Sequence, residues 1–448
     1  MIKVSIIIPL LNSIQFLEEC IDSVRRQTLQ EIEIIFVDAG STDGSLQLIS
    51  QFMANDISRM ILLHSEKKSY GHQVNLGIHA SKGEYIGIVE SDDKVSDEFF
   101  QNLYDKTNQG DQNATSQFRP DFVKGGFTHF GTVFGKHVYE KVTRTDNQMD
   151  KLLFLNHDPS YRLFDPVHIW SGIYKRSFLS DKKIELNPTP GASYQDTSFS
   201  LLVGLLAETC IYTKECGYFY RIDNDQSSVK ANDKVSCIMD EYEFLYRNMQ
   251  LAGILDGQNK NIVEHYKLTS YFWNFRRMSE KGRKEFLKLI EPEMAAIELR
   301  ETPLSQADKE VLKYLSDPNG AAEFTKVEES LEREYTNFLE LILKRQKFII
   351  LTRKSNVRRL YFIQEITELD FIKKIYLSNK SDQVEHQITL NDNTNHFYTN
   401  EEILIVGKNN SESIKADLLS QGVDSGQIHI LKYLPSFSWI VDHLKSNV

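Results

Sequence analysis

Apolar residues near the start of the chain fall into short unbroken runs, separated by stripes at helical spacing. Val4-Ser5-Ile6-Ile7-Ile8 is one run, closed by Pro9, and Ile32 to Val37, Met60 to His64 and Tyr85 to Val89 are three more. Continuous runs of this length mark strands buried on both faces. Between the first two, Phe16, Leu17, Cys20, Ile21 and Val24 recur at helical spacing behind Ser13, a residue suited to an N-cap. Ser45 to Met53, and the stretch after Ser69-Tyr70-Gly71 that carries His72, Gln73 and Asn75, complete a βαβαβαβ alternation. It predicts a mainly parallel sheet with helices on both faces.

Further on, Phe122 to Gly126 reads as a strand, Phe127 to Tyr139 as a hairpin, and Trp170 to Leu179 as a strand followed by a short helix. The loop Pro188-Thr189-Pro190-Gly191 opens a helix whose inner stripe is Phe199, Leu202, Val203 and Leu206, with Asp196 in its first turn. Ile211 to Thr213 and Gly217 to Arg221 are strands. Lys234 to Lys344 has a helical pattern, after which Phe348 to Leu351, Ile375 to Leu377, Glu402 to Gly407 and Ile428 to Leu431 predict a small α/β domain. The expected organisation is therefore α/β: a catalytic domain over 1–230, a helical region over 231–345 and a small α/β domain over 346–448.

The 448 residues carry a net charge of −11, which disfavours nucleic acid as the main partner. The chain opens directly into a strand-like run rather than a secretory signal, and no stretch approaches a membrane span. Cys20, Cys210, Cys216 and Cys237 lack metal-type spacing and are expected to be reduced thiols in a cytoplasmic protein.

Candidate chemistry sits where two of the parallel strands stop. Asp38 ends the second strand, and Glu90-Ser91-Asp92-Asp93 follow the fourth. Open α/β sheets bind ligands outside such strand ends. Carboxylates gathered there repel one another unless a cation joins them, and hard oxygen donors suit Mg²⁺ or Mn²⁺ carrying a phosphate. The turn after the first strand lacks G-x-G-x-x-G, and no G-x-x-x-x-G-K-[ST] occurs, so neither a dinucleotide fold nor a P-loop is indicated.

Four motifs carry a resemblance: Ser5-Ile6-Ile7-Ile8-Pro9-Leu10-Leu11-Asn12; Ser23 with Gln27-Thr28; Val37-Asp38-Ala39-Gly40-Ser41-Thr42-Asp43-Gly44-Ser45; and Ala80 to Ile86 ahead of Ser91-Asp92-Asp93. In order and spacing they resemble a family 2 glycosyltransferase with the GT-A fold. The resemblance implies inverting transfer of a sugar from a nucleotide-sugar donor, a UDP-sugar being favoured, with Mn²⁺ or Mg²⁺. The acceptor would be a carbohydrate, glycolipid or glycoprotein.

By the same resemblance, Asp38 accepts a hydrogen bond from a uracil imide, Asp92 ligates the metal, and Glu90 meets the ribose or the metal's water shell. Pro9, Asn12, Gly71, Asn75 and Ser91 line the donor. Asp196, in the Gln195-Asp196 pair, is the catalytic base. Two positions depart from the family pattern: Ala39 replaces an Asp, which leaves the base preference open, and Glu90 replaces the first Asp of the acidic triplet. Plainer roles compete: Asp38 as a turn cap, Asp93 as a cap for the helix after Ser96, Asp196 as a carboxylate that merely complements a helix dipole. Arg221 and Lys230 face phosphates or stand on the surface. The basic-aromatic stretch Phe272 to Lys288 is core with a solvated face, or a peripheral contact with a membrane bearing a lipid-linked acceptor. Oligomer contact or partner docking is the expected role of the last domain. A non-catalytic sugar-nucleotide-binding or scaffold subunit is the rival reading.

Overall fold

A computed structural model describes residues 1–56, 58–108, 119–133, 136–143, 148–158, 161–162, 168–224, 236–298, 306–343, 348–352, 372–377, 402–406, 411–420 and 423–431. Two compact units result, Met1–Gly131 with Tyr139–Ala321, and Thr132–Val138 with Ala322–Val448.

The strands are β1 (Val4–Leu10), β2 (Ile32–Asp38), β3 (Met60–His64), β4 (Tyr85–Ile88), β5 (Lys94–Val95), β6 (Phe122–Lys124), β7 (Phe127–Val133), β8 (Lys136–Val142), β9 (Leu153–Phe154), β10 (Gly172–Lys175), β11 (Thr209–Tyr212) and β12 (Tyr218–Arg221). Their helices are α1 (Ile14–Arg25), α2 (Ser45–Asp56), α3 (Tyr70–Ala80), α4 (Phe99–Lys106), α5 (Arg176–Asp181), α6 (Gln195–Leu206), α7 (Cys237–Leu251), α8 (Gly257–Arg277), α9 (Glu280–Glu298) and α10 (Gln306–Leu315). An eight-stranded sheet has the order β3-β2-β1-β4-β10-β6-β11-β9, and a smaller one the order β5-β12-β7-β8. Strands β1 to β4 pair in parallel, as the alternating pattern predicts, while β10 runs antiparallel to β4 and β6.

Burial drives this half. Every residue of β1 and β2 is buried. Each fully enclosed Ile or Phe there contributes about 1.5–3 kcal/mol against the exposed chain. The polar members of these strands have partners: the Ser5 hydroxyl donates to Glu33 (2.5 Å) and accepts from the Gly83 amide (2.8 Å), and the same Glu33 oxygen takes the Lys82 amide at 2.6 Å. The Gln27-Thr28 motif is a clamp. Gln27 donates to the Ser23 and Ser96 carbonyls and accepts from the Phe100 amide, holding the end of α1 on the start of α4.

Pro9 does not close β1, which continues to Leu10 against Asp38. The Ile7 carbonyl faces β4, where the Val89 amide meets it, and the Leu10 carbonyl faces β2, where the Ala39 amide meets it. Alternation turns Pro9 toward β4, which has already ended opposite Ile7, so its missing N–H interrupts no ladder.

In the second unit, α11 (Gly320–Leu343) begins at the boundary. Beyond it, β13 (Phe348–Thr352), β14 (Ile372–Leu377), β15 (Glu402–Val406) and β16 (Ile428–Leu431) form an all-parallel sheet ordered β14-β13-β15-β16. Helix α12 (Ser411–Ser420) contributes Leu418 to a core with Ile403, Ile405, Val423 and Ile428. The four strands expected after residue 347 are all present.

Candidate active site

The acidic run after β4 is held in place from β12. Asp93 is buried; its two carboxylate oxygens accept the Tyr218 hydroxyl (2.8 Å) and the Arg221 backbone amide (2.7 Å). The expected cap for the next helix is therefore not what Asp93 provides: α4 begins behind Glu98, without a side-chain cap. The Tyr218 oxygen also accepts the Glu90 amide at 3.1 Å. Arg221 is buried rather than outward-pointing. Its guanidinium pairs with Glu19, donates to the Asp92 carbonyl (2.6 Å) and lies over the rings of Phe16 and Phe130. Asp92 keeps a half-buried carboxylate, one oxygen of which accepts the Asn224 amide at 2.8 Å. Ser91 shares a hydrogen bond with Ser13 at 2.7 Å. Lys230 lies outside the described residues.

Asp38, buried at the end of β2, accepts the amides of Gly40 (2.9 Å) and Ser41 (3.1 Å). This is the turn-capping geometry weighed against a nucleobase contact. Asn12, in the left-handed region at φ 55°, accepts the Thr42 amide and gives its own amide to the Ser41 hydroxyl, so the loops after β1 and β2 interlock.

Helix α3 joins both sides of the cleft. The Tyr70 hydroxyl donates to Glu90. The Gln73 amide spans the ends of β1 and β2 by donating to the Leu10 (2.8 Å) and Val37 (2.6 Å) carbonyls. Asn75 gives its side-chain amide to the Leu186 carbonyl and accepts the Leu186 N–H, a buried two-way brace. Gly71 permits close approach: a β-carbon there would stand 2.1 Å from the Asn187 carbonyl oxygen. His72 shares a 2.9 Å hydrogen bond with Ser65.

Segment 187–194 then delivers Asp196. Ser69 to Gly191 form a parallel bridge, with the Tyr70 amide on the Gly191 carbonyl at 2.9 Å. Gln195 is buried and folds the loop around itself. It accepts the Ser193 amide and donates to the Thr189 hydroxyl and the Gly191 carbonyl. Tyr194, immediately ahead of α6, holds φ 66°, an uncommon conformation for a bulky residue and one that recurs at functional sites. Its hydroxyl is fastened to Asn274 of α8 at 2.7 Å.

Electrostatics bring the two halves together. Burial pushes the Glu90 carboxyl up to about 8; the Tyr70 hydrogen bond opposes this, and the charges of both Asp92 and Asp196 add to it. Asp196 is raised by burial, against the pull of His168 and Lys124. Asp93 is driven well up by burial and by Asp92. Glu90, after β4, thus feels the charges both of its neighbour Asp92 and of Asp196 in the first turn of α6.

Among the described residues, no group of three or more His, Cys, Asp or Glu side chains is arranged to hold an ion. Glu90 and Asp92 nonetheless suit Mg²⁺ or Mn²⁺, which takes one or two carboxylates and completes its shell with phosphates and water. Such a cation relieves the repulsion from Asp92 and Asp196 that adds to the effect of burial on Glu90. The hollow of about 720 Å³ between α1 and β5 is a different place, lined in part by the Lys94–Glu19 and Arg26–Asp97 pairs.

Residues 5–169 match the family model for "Glycosyl transferase family 2". The chain is 38% identical over 279 residues to glycosyltransferase GlyG of Streptococcus pneumoniae serotype 4, covering 59% of this chain and 88% of that protein. With glycosyltransferase GlyA of the same organism it shares 26% identity over 309 residues, or 63% of this chain and 42% of that one. The fold is similar to that of S. aureus TarS 1-349 crystallised with UDP-GlcNAc, with a TM-score of 0.50 at 17% identity, covering 74% of this chain and 92% of that one.

Proposed function

The chain belongs to glycosyltransferase family 2, and from that premise we propose that it transfers a sugar from a nucleoside diphosphate sugar, UDP favoured, to an acceptor hydroxyl with inversion. The observation that carries this reading is that Tyr70 joins the two acidic elements, its hydroxyl donating to Glu90 and its amide to the Gly191 carbonyl of the loop that opens α6 ahead of Asp196. Asp196 stands at a helix start with its pKa raised by burial, which moves a carboxylate toward the range where a general base works near neutral pH.

In the transfer, the acceptor oxygen forms a bond to the anomeric carbon as the bond from that carbon to the diphosphate oxygen breaks. The hydroxyl proton passes to Asp196, and the electron pair leaves with the nucleoside diphosphate. Asp92 and Glu90 would hold a divalent cation, which would supply positive charge to offset that growing on the departing diphosphate. Tyr70 steadies Glu90 for that task, and Asp93 fixes the backbone from which both project. The acceptor, a saccharide, lipid-linked saccharide or glycoprotein, approaches from the side of α6. Among the described residues no helix is long and apolar enough to cross a membrane.

A screen of nucleotide sugars for Mn²⁺-dependent nucleoside diphosphate release tests the reading. Asp196→Asn should lower turnover by about 10²–10⁴-fold while UDP still binds. Turnover that survives this change, or a wild-type protein that gives no heat with UDP, GDP or dTDP in the presence of manganese, overturns it.

A further inference from the structure

The chemistry above leaves one buried acid unused. Glu241, on α7, is 1% exposed. One of its oxygens takes the Ser198 hydroxyl and the other the Asn187 amide at 3.0 Å, and the Asn187 amide also reaches the Asp240 carbonyl at 3.4 Å. Ser198 stands two residues beyond Asp196 in the first turn of α6, and Asn187 opens the segment that leads to it. The same segment is gripped from the donor side, where Asn75 holds both backbone groups of Leu186 and Gly71 admits the Asn187 carbonyl. Helix α3, whose first residue is Tyr70, thus meets at 186–187 the segment that Glu241 fastens.

We propose that Glu241 is a positioning residue of the transfer site: a single carboxyl ties together both ends of segment 187–198 and so fixes where Asp196 stands. This rests on the reading of Asp196 as the base. Burial pushes the Glu241 carboxyl up to about 8, with the Ser198 and Asn187 hydrogen bonds opposing and the charges of Asp196 and Asp240 adding. Apart from Asp196 and Asp240, two charges on adjoining elements have partners of their own. From α8, Lys267 pairs with Glu293 and lies over the rings of Tyr242, Tyr246 and Tyr271; Glu185, ahead of the segment, pairs with His79. The neutral acid can keep both contacts, accepting from Asn187 while its own O–H turns to the Ser198 hydroxyl, without a second negative charge near Asp196. Once ionised, it sets a second negative charge against Asp196, and the segment loosens. Glutamine reproduces the neutral form, since its oxygen accepts from Asn187 while its N–H donates to the Ser198 hydroxyl.

The test compares wild type with Glu241→Gln, Glu241→Ala and Ser198→Ala in the full chain. It reads hydrogen exchange over 187–198, corrected for intrinsic exchange, with UDP affinity by calorimetry and transfer rates alongside. In wild type, protection of the segment should fall at least about threefold between about pH 7 and pH 9, and kcat should fall with it. Glu241→Gln should show no such change in either. Both alanine variants should lose protection at either pH, with kcat down about tenfold or more and UDP affinity within about twofold. The proposal fails if Glu241→Gln keeps the alkaline loss of protection, or if UDP affinity falls together with kcat in Ser198→Ala. Exchange is read without substrate, so it judges Glu241 by itself; a wild-type chain with no transfer activity would instead sink the reading of Asp196.

Discussion

The Tyr70 hydroxyl donates to a Glu90 carboxylate oxygen over 2.5 Å, joining the first residue of α3 to the acidic end of β4. This bond favours the charged form of Glu90 against the burial that opposes it. Tyr70→Phe keeps the ring and deletes the donor. A hydrogen bond to a charged group contributes about 1.5–3 kcal/mol, so manganese-dependent UDP affinity should fall by about tenfold or more. Calorimetry with and without chelator measures it, and an unchanged affinity would remove Tyr70 from the site.

Asp93 is a support for Asp92 and Glu90. Asp93→Ala strips acceptors from the buried Tyr218 hydroxyl and Arg221 amide. Two buried donors left unpaired should cost about 2–4 kcal/mol, against less than about 1 kcal/mol for Asp92→Ala at its half-buried position. Urea unfolding compares the two variants; equal losses would contradict the separation of roles.

Gly71 has no room for a side chain. In Gly71→Ala the added carbon meets the Asn187 carbonyl at 2.1 Å, and backbone must shift. Overpacking of this kind costs about 1–3 kcal/mol. Because the displaced chain is the one leading to Asp196, transfer should suffer more than UDP binding. A lowered melting temperature with a raised UDP dissociation constant and unchanged kcat would place the damage on the donor side instead.

Stability should decline on the alkaline side. Glu90 and Glu241 ionise near 4.5 in ordinary surroundings and are both held up to about 8 in the folded protein. Between those values the folded chain binds more protons than the unfolded one. Their stabilisation is therefore complete below about pH 4.5 and is lost as pH rises toward 8, by at most about 1.4 kcal/mol per pH unit for each group. Glu241→Gln removes one of the two. The fall in unfolding free energy between about pH 5.5 and pH 8 should shrink by about 2–3 kcal/mol in that variant. An unaltered slope would show that Glu241 does not hold its proton.

The strands that build the cleft were legible because β1, β2 and β4 are buried on both faces and so write themselves as unbroken apolar runs. Asp196 was legible as a first-turn acid, since the Pro-Gly loop and the stripe from Phe199 fix where α6 starts. The braces were not. Asn75 reads as one more polar residue on a helix, yet its partner Leu186 is 111 residues away; Tyr218 reads as a strand residue, yet serves Asp93 across 125. Periodicity tells which face a residue takes and nothing of which distant polar atom waits there. Glu241 was hidden for the same reason, in a helical stretch whose pattern carries no sign that a buried acid belongs to it. Pro9 misled in a different way: proline ends most ladders, and only the early stop of β4 leaves it harmless.

Arg221 reaches back 202 residues to Glu19, and the amide of the same residue reaches back 128 to Asp93. Every acidic group at the end of β4 is therefore translated long before the strand that fastens it. A nascent or truncated chain stopping short of Tyr218 would contain Asp38, Glu90, Asp92 and Asp196 and still lack the contacts that hold Asp93, the Glu90 amide and the Asp92 carbonyl. Closing so large a loop is slow compared with pairing β1 to β2, so nucleotide binding should appear during refolding only after most of the sheet has formed.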